Sequence, residues 1–139
     1  MEIIVRAHSG LRYVVLGLLI AAIFVAYGKW NQKAEATSKV YLFALISVHT
    51  QLLLGLALYF WSPKVNFSLM KDKFYRFYSV EHLTGMLIAI VLITIGYSVA
   101  KRTLNASKHR KILIYYGLGL LLILVSIPWP FRNLGAGWY

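Results

Sequence analysis

The sequence predicts an all-α integral membrane protein, an up-down-up-down four-helix bundle, and three observations lead there. Of 139 residues, 60% are hydrophobic and 14% are charged, with a mean hydropathy of +0.67; a soluble domain of this size has nowhere to bury so much apolar surface. The apolar residues gather into four blocks separated by short polar stretches, each long enough for the ~20 residues a helix needs to cross about 30 Å of hydrocarbon. Within the blocks the apolar residues do not alternate, which argues against membrane strands, and one domain (1–139) accounts for the whole length.

The first helix is expected at about 3–28. Arg6, His8 and Arg12 in its first half, and the lack of a small-residue cleavage site, make it a span rather than a cleaved signal. The second, at about 38–61, can be capped by Thr37 or Ser38 and is ended by Ser62-Pro63. A third is expected at about 75–101. The fourth, at about 106–127, has Asn105 or Ser107 as cap and is stopped by Pro128 and Pro130. Aromatic residues mark the interfaces at Tyr27 and Trp30, Tyr59 to Trp61, Phe74 to Tyr78, and Trp129 with Phe131. Eight basic residues lie in the loops after helices one and three, against five at the other end, or seven with Arg6 and Arg12. That bias puts both termini outside, periplasmic if the membrane is a bacterial inner membrane.

Composition also excludes chemistry. With no cysteine, disulfides, iron–sulfur clusters and thiolate sites are ruled out. The net charge of +11 sits at block ends, where it anchors helices, so nucleic acid is not an expected partner and membrane lipid is. Glu2, Glu35, Asp72 and Glu81 are too scattered for a carboxylate pair, and no nucleophile elbow or phosphate loop occurs.

The chemistry rests on His8, His49, His82 and His109, one per helix. Ionisable residues inside a span are expensive and point to function, although a histidine can also simply bond a neighbouring helix. Counted from one interface at ~1.5 Å per residue, His8 and His82 both lie about 8 Å deep; from the other, His49 and His109 lie at about 12 and 5 Å. Helices one and three are diagonal in such a bundle, as are two and four. Each diagonal pair thus offers two imidazoles to a haem iron, making two haems b roughly 14 Å apart, a transmembrane electron wire. Gly85, Ala89 and Gly96 share a face with His82 and leave room for a macrocycle, or serve helix packing. Arg12, with Arg6 and Arg76 nearby, can hold propionates; an Arg12–Glu81 ion pair is the plainer use. Tyr116 can line a cofactor or bond a neighbour. Four histidines spread over most of the membrane do not make one tetrahedral metal site.

The segments His8-Ser9-Gly10-Leu11-Arg12-Tyr13, His49-Thr50-Gln51-Leu52-Leu53-Leu54-Gly55-Leu56, Val80-Glu81-His82 and Ser126-Ile127-Pro128-Trp129-Pro130-Phe131 resemble those of small bacterial four-helix membrane proteins labelled cytochrome b-like. The resemblance spans nearly the whole chain and implies a haem cofactor. The arrangement of histidines is similar to that of ascorbate-dependent transmembrane di-haem cytochromes b, which have additional flanking helices. Together these readings predict an electron-transferring cytochrome b. His8 and His82 would hold an outer haem and His49 and His109 an inner one, with a quinol or small reductant as donor. A single haem, with His49 then in a quinone pocket or pairing with His82, is one alternative. A cofactor-free accessory or assembly subunit of a larger respiratory or other membrane complex is the other.

Overall fold

The computed structural model describes residues 1–138, which are helical with no strand among them. Four long helices, α1 (Glu2–Asn31), α2 (Lys39–Trp61), α3 (Lys73–Arg102) and α4 (Ser107–Ser126), are each long and apolar enough to cross a membrane. This is the architecture of a multi-pass membrane protein. Large apolar side chains such as Phe24, Leu53, Phe60 and Val125 are more than two-thirds exposed on its flanks, an outward surface that suits lipid and not water.

The helix ends follow the local chemistry of the sequence. The Ser38 hydroxyl accepts from the Val40 amide at the start of α2, and Asn105 accepts from the Ser107 amide at the start of α4. Before Pro63, Ser62 turns extended and ends α2; before Pro128, Ile127 does the same after α4. Gly28 does not stop α1, which runs on to Asn31 and is followed by Lys33 with φ of 53°.

Packing runs in the cyclic order α1, α2, α3, α4, with the α3–α4 seam closest and the α2–α3 seam loosest. Consecutive helices run antiparallel, as contacts from Tyr59 to Ser79 and His49 to Thr94 show for α2 and α3. Helices α1 and α3 are therefore diagonal, and so are α2 and α4. The strip of small residues on α3 is the seam with α4. A Cβ added at Gly85 would lie 2.0 Å from Ser126 Oγ, and one at Gly96 would lie 2.3 Å from Tyr115 Cβ. From α4, a Cβ at Gly119 would meet Ile93 and the Ala89 carbonyl. Gly85 and Ala89 thus serve the close approach of two backbones, the packing use of such residues.

The two ends of the bundle differ. At the end carrying the 32–38 and 103–106 connections, His109 is fully buried in a polar knot: its Nε2–H donates to the Ala34 carbonyl at 2.9 Å and its Nδ1 accepts from Tyr41 OH at 2.7 Å. Tyr116 OH donates in turn to the Tyr41 carbonyl at 2.7 Å. The other end, where α1 begins and the segment after α4 folds back, is hollow.

Candidate cofactor site

His8 on α1 and His82 on α3 face each other across this hollow, with ring centroids 6.4 Å apart and planes at 78°. The diagonal placement and shared depth expected from the sequence are what bring them together. Around them is a cavity of about 390 Å³, lined from all four helices, the 62–72 connection and the tail after α4. That volume is within the range of small-molecule and cofactor sites.

His82 is aimed by two local features. A π-helical turn at Phe77–Glu81, closed by the His82 amide on the Phe77 carbonyl, precedes it within α3; single turns of this kind rotate the residues beyond them about the helix axis and are frequent at functional sites. The His82 Nδ1–H donates to the Ser126 carbonyl at 2.7 Å. In a continuing helix that carbonyl would accept from residue 130, which is Pro130 and has no N–H. Pro128 likewise leaves the Leu124 carbonyl free, and Trp129 Nε1–H takes it at 2.8 Å. The proline pair therefore does more than stop α4, since it provides the acceptor that fixes the His82 ring with Nε2 left over.

His8 has different constraints. Gln51 Nε2 donates to its carbonyl at 2.8 Å, and a Cβ at Gly55 would sit 3.1 Å from its Cε1, so the glycine makes room for the ring. Arg12, one turn further along α1, is buried; its Nη2 donates to the Trp138 carbonyl at 2.7 Å and to Tyr13 OH at 3.1 Å, and its guanidinium lies over the Tyr13 and Trp129 rings.

Among the described residues, three buried side-chain polar atoms have no hydrogen-bond partner: His8 Nδ1, Arg12 Nε and Gln51 Oε1. All three residues line this one cavity. Orphaned polar atoms are rare in folded proteins because each costs about 1–3 kcal/mol, and three around one hollow mark a place for a polar ligand.

The charge of the wall is one-sided. Arg12 and Lys64 line it and no Asp or Glu does. Lys64, in the connection between α2 and α3, donates to the Gly135 carbonyl at 3.2 Å and lies 4.8 Å from the centre of the Tyr78 ring. Burial pushes its ammonium below the usual lysine range. A roof is made by the tail: Pro130–Arg132 forms a 3-10 turn, Tyr78 OH donates to the Leu134 carbonyl at 2.8 Å, and Gly135 takes φ of +64° with Phe74 3.1 Å from where a Cβ would be. Only glycine adopts that backbone without strain.

The other expected site residues lie elsewhere. Arg6 pairs with Glu2 at 2.6 Å on the surface, and Arg76 pairs with Glu81 at 2.8 Å, so neither lines the cavity and Glu81 does not meet Arg12. His49 faces α3, where its Nε2 is 3.4 Å from Thr94 Oγ1. The expected second pair is not brought together: His109 is at the level of Tyr41, eight residues or about 12 Å of helix from His49. Both His109 ring nitrogens are also engaged. Tyr116 bonds a neighbouring helix and does not line the His8–His82 cavity. Sequence reasoning missed Lys64, Tyr78 and the tail; for Ser126 the signal was present, as a proline four residues after it.

Among the described residues, no three His, Asp or Glu side chains come together in a group that could hold a metal ion. No protein-family model, curated protein or solved structure matches this chain.

Proposed function

We propose that the chain is a membrane b-type cytochrome that holds one haem between His8 and His82 and passes electrons between a reductant, a membrane quinol or a small molecule, and an acceptor protein. The observation that carries this is the pair of imidazoles on diagonal helices, 6.4 Å apart over a cavity with three orphaned polar atoms.

The residues fit the group. Two histidines are too few to cage a metal ion alone. His8 and His82, with ring centroids 6.4 Å apart, would instead hold the iron of a haem, whose macrocycle would supply the remaining nitrogens. His82 gives its Nδ1–H to the Ser126 carbonyl, which holds the tautomer whose Nε2 can ligate and raises its basicity. Arg12 and Lys64, with no acid beside them, suit a pair of carboxylates. Met86, Ile90 and Ile123 keep the deep wall dry. When bound, haem supplies a one-electron iron couple.

A single haem is favoured over two because only one histidine pair converges. The eight basic residues around the sealed end support an orientation with both termini periplasmic in a bacterial inner membrane. Its partners there are lipid and other membrane-complex subunits.

The test is a dithionite-reduced minus oxidised spectrum of the detergent-purified protein with a pyridine haemochrome assay. One haem b per chain is expected, lost in both His8→Ala and His82→Ala. Two per chain would overturn the single site. None after haem-replete expression would overturn the cytochrome and favour a cofactor-free accessory subunit.

A further inference from the structure

The strap that roofs the cavity is fastened by its backbone. Past Asn133, which takes a left-handed φ of 56°, the chain folds over the hollow, and Gly135, Ala136 and Gly137 line the cavity. Of residues 134–138 only Leu134 is buried. Four side-chain donors hold the carbonyls of this strap: Tyr78 OH on Leu134 at 2.8 Å, Lys64 Nζ on Gly135 at 3.2 Å, Arg12 Nη2 on Trp138 at 2.7 Å, and Tyr13 OH on Trp138 as well. The Trp138 ring adds a contact with Trp129, their centroids 6.1 Å apart. Among the described residues, no backbone–backbone hydrogen bond ties 134–138 to the helices. A segment fastened this lightly opens at a far smaller cost than the bundle unfolds.

Two of the four fastenings are the cavity's own cations, and each spends only part of its donor capacity on the strap. A guanidinium carries five N–H donors. Arg12 uses Nη2 on the Trp138 carbonyl and Tyr13 OH, while its buried Nε has no partner. An ammonium carries three, and Lys64 Nζ gives one to the Gly135 carbonyl. Both side chains also line the cavity, where no Asp or Glu meets them. The same two groups therefore hold the strap and keep donors for whatever fills the hollow.

From this we infer that Arg12 and Lys64 are a shared latch: carboxylates of a bound ligand take their remaining donors, and the strap is thereby held shut over the occupied cavity. A carboxylate on Arg12 Nε fixes the rigid guanidinium fork, and with it the Nη2 bond to the Trp138 carbonyl. With the cavity empty, nothing on the ligand side holds that guanidinium in place, and its partnerless Nε makes the closed arrangement costly. By linkage, a ligand that closes the strap is retained by the closed strap. A plain lid would treat ligands of one shape alike, whereas a latch separates carboxylates from their esters. That the carboxylates are those of haem rests on the function proposed above; the latch itself asks only for an apolar body with acidic groups.

Leu134 is buried and does not line the cavity, so in a chain without cysteine the thiol of Leu134→Cys reports strap opening and is not shielded by the ligand itself. Its rate of modification by a maleimide is measured in the full-length protein, empty, with haem b and with haem dimethyl ester, binding being followed by the visible spectrum. Haem is expected to slow modification at least about fivefold, the worth of one hydrogen bond, and the bound ester to leave the rate within about twofold of the empty protein. Adding Tyr13→Phe, which takes one hydroxyl from the Trp138 carbonyl, should speed modification of the empty protein by about the same fivefold. Equal slowing by acid and ester, or none by bound haem, would overturn the latch. A protein that takes up neither porphyrin would overturn the haem reading, and laurate against methyl laurate then decides the latch by the same measure: slowing by laurate alone upholds it, and equal rates overturn it.

Discussion

His82 and His109 carry the same side chain into opposite situations. His82 spends one ring nitrogen on a carbonyl and keeps the other for the cavity, whereas His109 spends both, on Ala34 and Tyr41. His109→Phe is accordingly expected to leave haem per chain unchanged while costing about 1–3 kcal/mol, because Tyr41 OH and the Ala34 carbonyl lose their partner. Denaturant unfolding of the purified variant, beside its haemochrome value, checks both halves; loss of haem in a folded variant would return His109 to a ligand role. One histidine per helix was visible in the sequence, and so was the common depth of His8 and His82, since both are counted from the same interface. Which nitrogens are already taken was not visible, because the Ala34 carbonyl lies 75 residues from His109.

The seam of α3 on α4 is where the helices depend most on missing side chains. Gly96→Ala would place a Cβ 2.3 Å from that of Tyr115, a contact with no flexible end to yield. It should cost about 1–3 kcal/mol in unfolding without touching the cavity, with haem per chain as the control. Helix positions were largely legible: the expected 38–61 and 106–127 became Lys39–Trp61 and Ser107–Ser126, because caps and prolines act locally. The π-helical turn at Phe77–Glu81 was not, since it reflects how α3 must wind to meet its neighbours while Tyr59 OH takes the Ser79 carbonyl at 2.8 Å. The small-residue strip was seen, but a spacing that admits a macrocycle also admits a helix, and only the opposing Ser126 and Tyr115 decide between them.

For the molecule as a whole, orientation has a direct test, because the chain has no cysteine. Lys33→Cys, at the sealed end, should be labelled by an impermeant maleimide only from the cytoplasmic side, and Lys71→Cys, at the hollow end, only from the periplasmic side. The reverse pattern would invert the proposed topology.

The hollow end also sets an electrical property. Carrying one elementary charge across a whole membrane costs about 2.3 kcal/mol per 100 mV. With the interfaces placed as the sequence suggests, the His8–His82 cavity would lie roughly 8 Å into the ~30 Å of hydrocarbon. A charge reaching it from the nearer aqueous phase therefore crosses roughly a quarter of the voltage drop, and the Tyr41–His109–Tyr116 knot lies in the remainder. In a bilayer spanned as proposed, exchange between that phase and the cavity would be only weakly coupled to membrane voltage, and the bundle would be poorly suited to generating a potential by itself.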